Sequence, residues 1–330
     1  MSPSFDYTSI GFYTFDALCR PVTEIAPGGG TYFVDEFTLA VSGAAGSAAI
    51  VAAKHGLKVQ AVGGIGPDDM GEWVLGKLAS FGVDVGRMEL CEGYATSSSV
   101  VTTRPNGDRP ALHKRGATAG FFVRDEDMDR VLDTKILHVG GVGLMDRMDG
   151  GRTVELLAEA RRRGCTTTLD VFASTAADMT LVAPLLPHAD VFMPSEEEAM
   201  ALSGLADPED IAAFLLDYGV GAVILTLGSK GALYRDRTGL AFDVPAYAVD
   251  VVCTCGCGDC FNGGFATGLH LGLPLEACVR LAQATSAQNA MGLGSQAVVT
   301  SLEQTLHFME TTPLRVYDGG APVSTALHPA

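Results

Sequence analysis

The residues best suited to chemistry lie in one stretch, Val251-Val252-Cys253-Thr254-Cys255-Gly256-Cys257-Gly258-Asp259-Cys260-Phe261-Asn262-Gly263-Gly264. The β-branched start reads as the end of a strand. Phe261, Phe265 and Leu269 then recur with helical spacing, so Asp259 to Gly272 reads as a helix. A glycine turn that opens a helix leaves backbone N–H groups without partners, and the helix dipole adds partial positive charge. Such a turn receives an anion. Asp259 sits where that anion would arrive. A carboxylate there makes sense if it takes a proton while the anion is attacked, which is the chemistry of phosphoryl transfer. The plain alternative is a helix N-cap.

Cys253, Cys255, Cys257 and Cys260 crowd the same turn. Their spacing, C-x-C-x-C-x-x-C, matches no standard zinc or iron–sulfur pattern. Cysteine also packs as a small buried apolar residue, and that is the expectation here. A thiol near a helix N-terminus can have a lowered pKa, which predicts inhibition by oxidation.

The elements that must position this turn follow an α/β rhythm. Strands are predicted at Tyr7–Gly11, Lys58–Val62, Ile136–Val139, Thr166–Leu169, Asp190–Met193 and Ala222–Thr226, with extended structure over Thr31–Leu39. Helices are predicted between them: one through Ala48–Ala53, one capped by Asp68 or Asp69, and others at Gly150–Arg163, Asp207–Tyr218 and Leu275–Met291, with one more near Leu302. Pro105-Asn106-Gly107-Asp108 joins two β-prone runs, 97–103 and 110–114, as a hairpin that interrupts the rhythm. Repeated strand–helix units imply a three-layer, doubly wound, mostly parallel sheet. The expectation is one domain over 1–330, with a small β lid from parts of 12–41 and 96–116 and a loosely held tail at 313–330.

Composition excludes some classes. The 330 residues carry 22 basic and 39 acidic side chains, a net charge of −17, which argues against a nucleic-acid surface and against an anionic membrane. The longest uncharged stretch near the N-terminus, Phe37 to Ala53, is too short and too polar to span a bilayer, and no signal peptide is visible. Eight cysteines in a chain this long suggest reduced thiols and a cytoplasmic setting. P-loop, zincin and serine-hydrolase signatures are absent, as is a clean dinucleotide fingerprint.

Taken together, five segments resemble the ribokinase-like, or PfkB, family of carbohydrate kinases. Gly256-Cys257-Gly258-Asp259 is similar to that family's G-A-G-D signature, and Gly43 to Gly71 to its glycine-rich sugar-binding turn and later G-x-D-x-x-G. Asp16, Pro194 to Glu198 (like P-N-x-x-E) and Thr226 to Gly231 (like T-x-G-x-x-G) complete the set in the family's order.

The resemblance implies an ATP-dependent kinase that phosphorylates a hydroxyl of a sugar or sugar acid with Mg²⁺. Asp259 would be the base, and the N–H groups of Gly256, Cys257 and Gly258 the anion hole. Asp16, Gly43 and Ser47 would meet the sugar, Ser47 standing where the family has asparagine. Arg115 could reach a polar or acidic substituent. Ser195, Thr226, Gly228 and Gly231 would border the nucleotide, with Ser195 also replacing an asparagine. Glu198 would help place Mg²⁺ through water. Cys253 stands where the family commonly has a cation-binding aspartate, so weak or no dependence on K⁺ is expected. Lids in the family often pair between subunits, implying a homodimer. Two other readings remain: a nucleoside kinase of the same fold, and a sugar-binding regulator that has lost catalysis.

Overall fold

The computed structural model describes residues 3–316. Thirteen strands are formed: β1 (Phe5–Gly11), β2 (Thr14–Arg20), β3 (Glu36–Ser42), β4 (Val59–Ile65), β5 (Asp84–Leu90), β6 (Ser98–Thr102), β7 (Ala111–Lys114), β8 (Thr134–Val142), β9 (Thr166–Val171), β10 (Val191–Phe192), β11 (Ala222–Thr226), β12 (Ala232–Asp236) and β13 (Ala241–Val244). Nine of them make one sheet in the order β13-β12-β11-β10-β9-β8-β1-β4-β5. From β11 to β5 every pairing is parallel, and the hairpin β12–β13 adds an antiparallel edge.

Both faces of this sheet are covered, as the apolar runs of a parallel sheet require. Along β10 and β11 successive side chains part to opposite sides. Phe192, Val223 and Leu225 join the helices Gly151–Arg162, Glu196–Ser203 and Pro208–Asp217 on one face. Val191, Ala222 and Ile224 meet Phe261, Phe265 and Val279 of the helices Cys257–His270 and Leu275–Ala290 on the other. The small residues of Ala44–Lys54 let that helix pack closely on the sheet and on Cys257–His270, where a Cβ at Gly263 would lie 2.7 Å from Ala48 O.

The chain runs outward from β1 in both directions, to β4 and β5 on one side and to β8 and beyond on the other. In such sheets ligands bind outside the carboxyl ends of the strands near the point of reversal. A second sheet, β3-β2-β6-β7, stands over that end. Its register aligns Leu39, Ala17, Val100 and Leu112 in one row on the outer face, where Leu112 is 68% exposed. The inner face carries Asp16, Leu18 and Val101.

Several expectations need correction. Val251–Val252 is not a strand: the Val252 and Cys253 N–H groups both donate to Ala290 O, at 2.8 and 3.2 Å, rather than to a ladder. The helix there begins at Cys257, not Asp259. Extended structure begins at Glu36, and residues 31–35 are irregular. The sequence reading missed β2, because buried Asp16 interrupts its apolar alternation. It also missed β12 and β13. The start of the expected loose tail is held: the Ala248 N–H donates to Pro313 O and the Arg315 N–H to Ala246 O, at 2.8 and 2.7 Å. The rest of that tail, 317–330, lies outside the described residues. Among the described residues no helix is long and apolar enough to cross a membrane.

Candidate active site

The turn before the helix Cys257–His270 is fixed by glycine geometry and by a buried asparagine. Gly256 has φ 73°, and a Cβ there would lie 2.4 Å from Ser295 Oγ. Ser295 Oγ in turn accepts from Ser42 Oγ at 2.9 Å. Asn289 Nδ2 donates to Cys255 O (2.7 Å), and Asn289 Oδ1 accepts from the Gln296 N–H (2.6 Å). The Cys257 N–H already donates to Thr254 O at 3.3 Å. That leaves the N–H groups of Gly256, Gly258 and Asp259 as the donors without an intrahelical partner.

Half-buried Asp259 lies in the first helical turn. Burial pushes its carboxyl up to about 6; Arg109 offsets part of this, Asp16 adds to it, and the Ser47 hydroxyl lowers it. Ser47 sits one turn into the helix Ala44–Lys54. Its Oγ is buried beside Asp259 yet makes no full hydrogen bond. Gly43, φ 91°, caps the same helix, and a Cβ there would lie 2.4 Å from Phe12 O.

Asp16 projects from β2 onto the inner face of the second sheet and is 3% exposed. Burial raises its pKa, while the hydroxyls of Ser42, Ser99 and Thr14 and the His113 ring lower it. Thr14 Oγ1 donates to Asp16 Oδ1 at 3.1 Å. Asp16 and Asp259 therefore feel one another across the mouth of the parallel sheet.

On the other side of Asp259 the strand ends bring up two further acids. Glu198 closes a capping box with Ser195: its Oε2 accepts from Ser195 N and Oγ at 2.9 and 2.7 Å. Asp170, at the end of β9, accepts from Asn262 Nδ2 at 2.6 Å. Burial raises both pKa values, and the Asp259 charge adds to each, as Glu198 does to Asp170. Asp170 and Glu198, each raised by burial and by the Asp259 charge, suit a divalent ion approached through water and phosphate oxygens. Among the described residues no cluster is arranged to chelate a metal outright.

Thr226 ends β11, and its N–H donates to Pro194 O at 3.1 Å, which ties the 226–231 turn to Ser195. Gly228 and Gly231 have φ 57° and 109°. A Cβ at Gly231 would lie 2.0 Å from Val244 O.

Arg115, expected to reach a polar or acidic substituent of the substrate, pairs through Nη1 with Asp146 on the loop after β8. The arginine whose charge reaches Asp259 is Arg109, from the β6–β7 hairpin. The expected lowering of a thiol pKa does not fit this geometry: burial pushes Cys257 up to about 11 despite its place at a helix start, and raises Cys255 and Cys260 too. Cys253 is fully buried with Leu18, Ala40 and Val101 beneath the lid, its sulfur 3.5 Å from Thr103 Oγ1. Sequence reasoning also missed Asp170, Asn262 and Asn289 as parts of the site. A strand-terminal Asp beside the β9 run was the available signal for Asp170.

The sequence model of the pfkB family carbohydrate kinase matches residues 9–301. A ribokinase of Haemophilus influenzae is 27% identical over 288 residues, covering 86% of this chain and 91% of its own. A cytidine kinase of Thermococcus kodakarensis is 28% identical over 286 residues, covering 84% and 92%. An Escherichia coli protein described as a ribokinase II, solved with ATP and Mg²⁺, superposes with a TM-score of 0.79 at 22% identity, covering 92% of this chain and 99% of that one. The chain belongs to the pfkB family of carbohydrate kinases.

Proposed function

We propose that the protein transfers the γ-phosphoryl group of ATP to a hydroxyl of a sugar or sugar acid. The observation that carries this reading is the meeting, at one helix start, of free N–H donors and the Asp259 carboxyl, facing Asp16 across the cleft. Asp259 accepts the proton of the attacking hydroxyl. The 256–259 turn holds the charge that develops on the transferred group. With a pKa of about 6, roughly nine-tenths of Asp259 is ionised at neutral pH. Its weakness as a base is tolerable, because positioning and charge stabilisation dominate phosphoryl transfer.

Asp16 binds acceptor hydroxyls, with Gly43 and Ser47 lining the same end. The Ser47 hydroxyl, which lowers the Asp259 pKa without a full hydrogen bond, lies where it can turn to the acceptor. Arg115, held by Asp146, contributes at most to the rim. Ser195, Thr226, Gly228 and Gly231 border the nucleotide. Glu198 and Asp170 would hold Mg²⁺ through water, and the ion's chemistry there is neutralisation of phosphate charge. The ATP and Mg²⁺ seen with the E. coli relative support both ligands. No carboxylate stands at Cys253, so the reaction is proposed to run without K⁺.

The exposed row Leu39, Ala17, Val100 and Leu112 supports pairing of two lids in a homodimer. A second reading, a nucleoside acceptor, is favoured by the likeness to a cytidine kinase. ADP release measured over sugars, sugar acids and nucleosides, with Asp259→Asn as control, tests both. Saturable sugar binding without turnover on any of them points to a regulator instead.

A further inference from the structure

One pleat below the cleft the parallel sheet carries polar side chains inside its core. Ser9, His138 and Thr168 stand in one row across β1, β8 and β9, and Gly11, Gly140 and Asp170 make the next row towards the strand ends. His138 is fully buried, and burial pushes its imidazole down to about 3, so the ring stays neutral with one donor and one acceptor. Its Nδ1 lies 3.0 Å from Thr168 Oγ1. The other end of the ring reaches over Gly140, where a Cβ would lie 2.8 Å from His138 Nε2 and 2.9 Å from Ala44 C. Nε2 faces the Ala44 carbonyl, in the first turn of the helix Ala44–Lys54, yet completes no hydrogen bond among the described residues. Tyr7 stacks beside the ring, with centroids 6.0 Å apart and planes at 21°, and so holds its orientation.

A buried imidazole is costly unless both nitrogens are used. The tautomer that serves both has Nε2 carrying the proton towards Ala44 O, and Nδ1 accepting from the Thr168 hydroxyl. The two ends of this bridge lead to opposite halves of the cleft. Ala44 lies between Gly43 and Ser47, whose hydroxyl lowers the Asp259 pKa. Thr168 lies two positions before Asp170 on the same strand, and so on the same face. Ser9 makes a different link: its Oγ donates to Ala45 O at 2.8 Å and ties the helix to β1, not to β9.

We propose that His138 is a positioning residue that couples the two halves of the cleft, fixing the Gly43–Ser47 turn relative to Asp170. The inference rests on the phosphotransfer reading above, in which the acceptor meets 43–47 and Mg²⁺ approaches Asp170. A nucleotide bound with Mg²⁺ restrains Asp170 and the end of β9. Through Thr168 and the imidazole that restraint reaches the helix start, where the incomplete Nε2 contact closes onto Ala44 O. The acceptor turn is then ordered before an acceptor arrives. His138 touches no reacting atom; it acts through the elements at its two ends.

The test uses the full chain with saturating MgADP and needs no acceptor. Hydrogen exchange is followed in peptides covering 43–47 and 226–231, with and without the nucleotide. In the wild type MgADP should slow exchange over 43–47 by about tenfold, within the usual range of coupling between sites. Thr168→Val keeps the shape and removes the hydroxyl, and His138→Phe keeps a ring beside Tyr7. Each should lose that slowing while 226–231 stays protected, and the double variant should lose no more than either. Thr168→Ser, which retains the hydroxyl, should keep the slowing. Thr305→Val is the structural control, because it makes the same chemical change at the far end of the same helix, where Thr305 Oγ1 lies 3.2 Å from buried His55 Nε2. It should leave the slowing over 43–47 intact. Slowing that survives in Thr168→Val, is absent in Thr168→Ser or is lost equally in Thr305→Val overturns the proposal. So does a wild type that binds MgADP and leaves 43–47 unchanged. A wild type that binds no MgADP overturns the phosphotransfer reading itself.

Discussion

Replacing Asp259 by Asn should stabilise the protein while abolishing turnover. A free aspartate titrates near 4, whereas burial holds Asp259 at about 6. The folded chain therefore binds that proton roughly a hundredfold more tightly than the unfolded chain, equivalent to about 3 kcal/mol. The sign follows from the raised folded pKa. Above about pH 6 both states carry the charge and the folded state bears the full cost of burying it; below about pH 4 both are protonated and the cost is gone. Asparagine keeps the shape and removes the charge at every pH. The expected gain is up to about 3 kcal/mol at pH 7.5, shrinking to near zero by about pH 4. At about 2 °C per kcal/mol for a chain of this size, Tm should rise by roughly 4–6 °C at the higher pH. Thermal and urea unfolding of both proteins across pH 4–8 measure the difference, and subtracting the curves leaves the Asp259 charge together with its effect on Asp170 and Glu198. A variant no more stable than wild type, or a gain that does not depend on pH, refutes the idea that Asp259 is a buried charge kept for function.

The same pKa sets the activity profile. kcat/KM should fall below pH 6 and be about tenfold under its plateau at pH 5; a limb near pH 4 would contradict this. Gly256→Ala forces a side chain into φ 73° and onto Ser295 Oγ. It should cost about 1–3 kcal/mol in urea unfolding and remove activity, and Gly256→Ala with Ser295→Gly should recover part of the stability but not the φ penalty. Because burial raises the thiols of Cys255, Cys257 and Cys260, brief peroxide treatment at pH 7 should leave activity intact; rapid inactivation would refute it. Replacing K⁺ by tetramethylammonium should leave the rate unchanged, and a steep K⁺ activation curve would show that Cys253 has not displaced a cation.

Local chemistry was legible in the sequence where it depends on backbone rules. The Gly256–Asp259 turn, the Asn106-Gly107 hairpin and the Asp68 cap were all readable, because glycine and Asx preferences act within a few residues. Contacts across the fold were not. Val251–Val252 has strand composition, yet its N–H groups go to Ala290 O, on a helix nearly forty positions away. Arg115 looked available and Arg109 did not stand out. Only the fold gives the first a partner in Asp146 and brings the second to Thr254. Asp170 read as the plain end of a strand until Glu198 and Asp259 were found close enough to raise its pKa.

Acceptor-dependent ADP release by wild type and Asp259→Asn, at matched folded concentration and saturating MgATP, tests the central claim most directly. The account predicts turnover on at least one sugar or sugar acid, lost by about 10²–10⁴-fold in the variant while MgATP binding persists. An Asp259→Asn protein that turns over at the wild-type rate would contradict it.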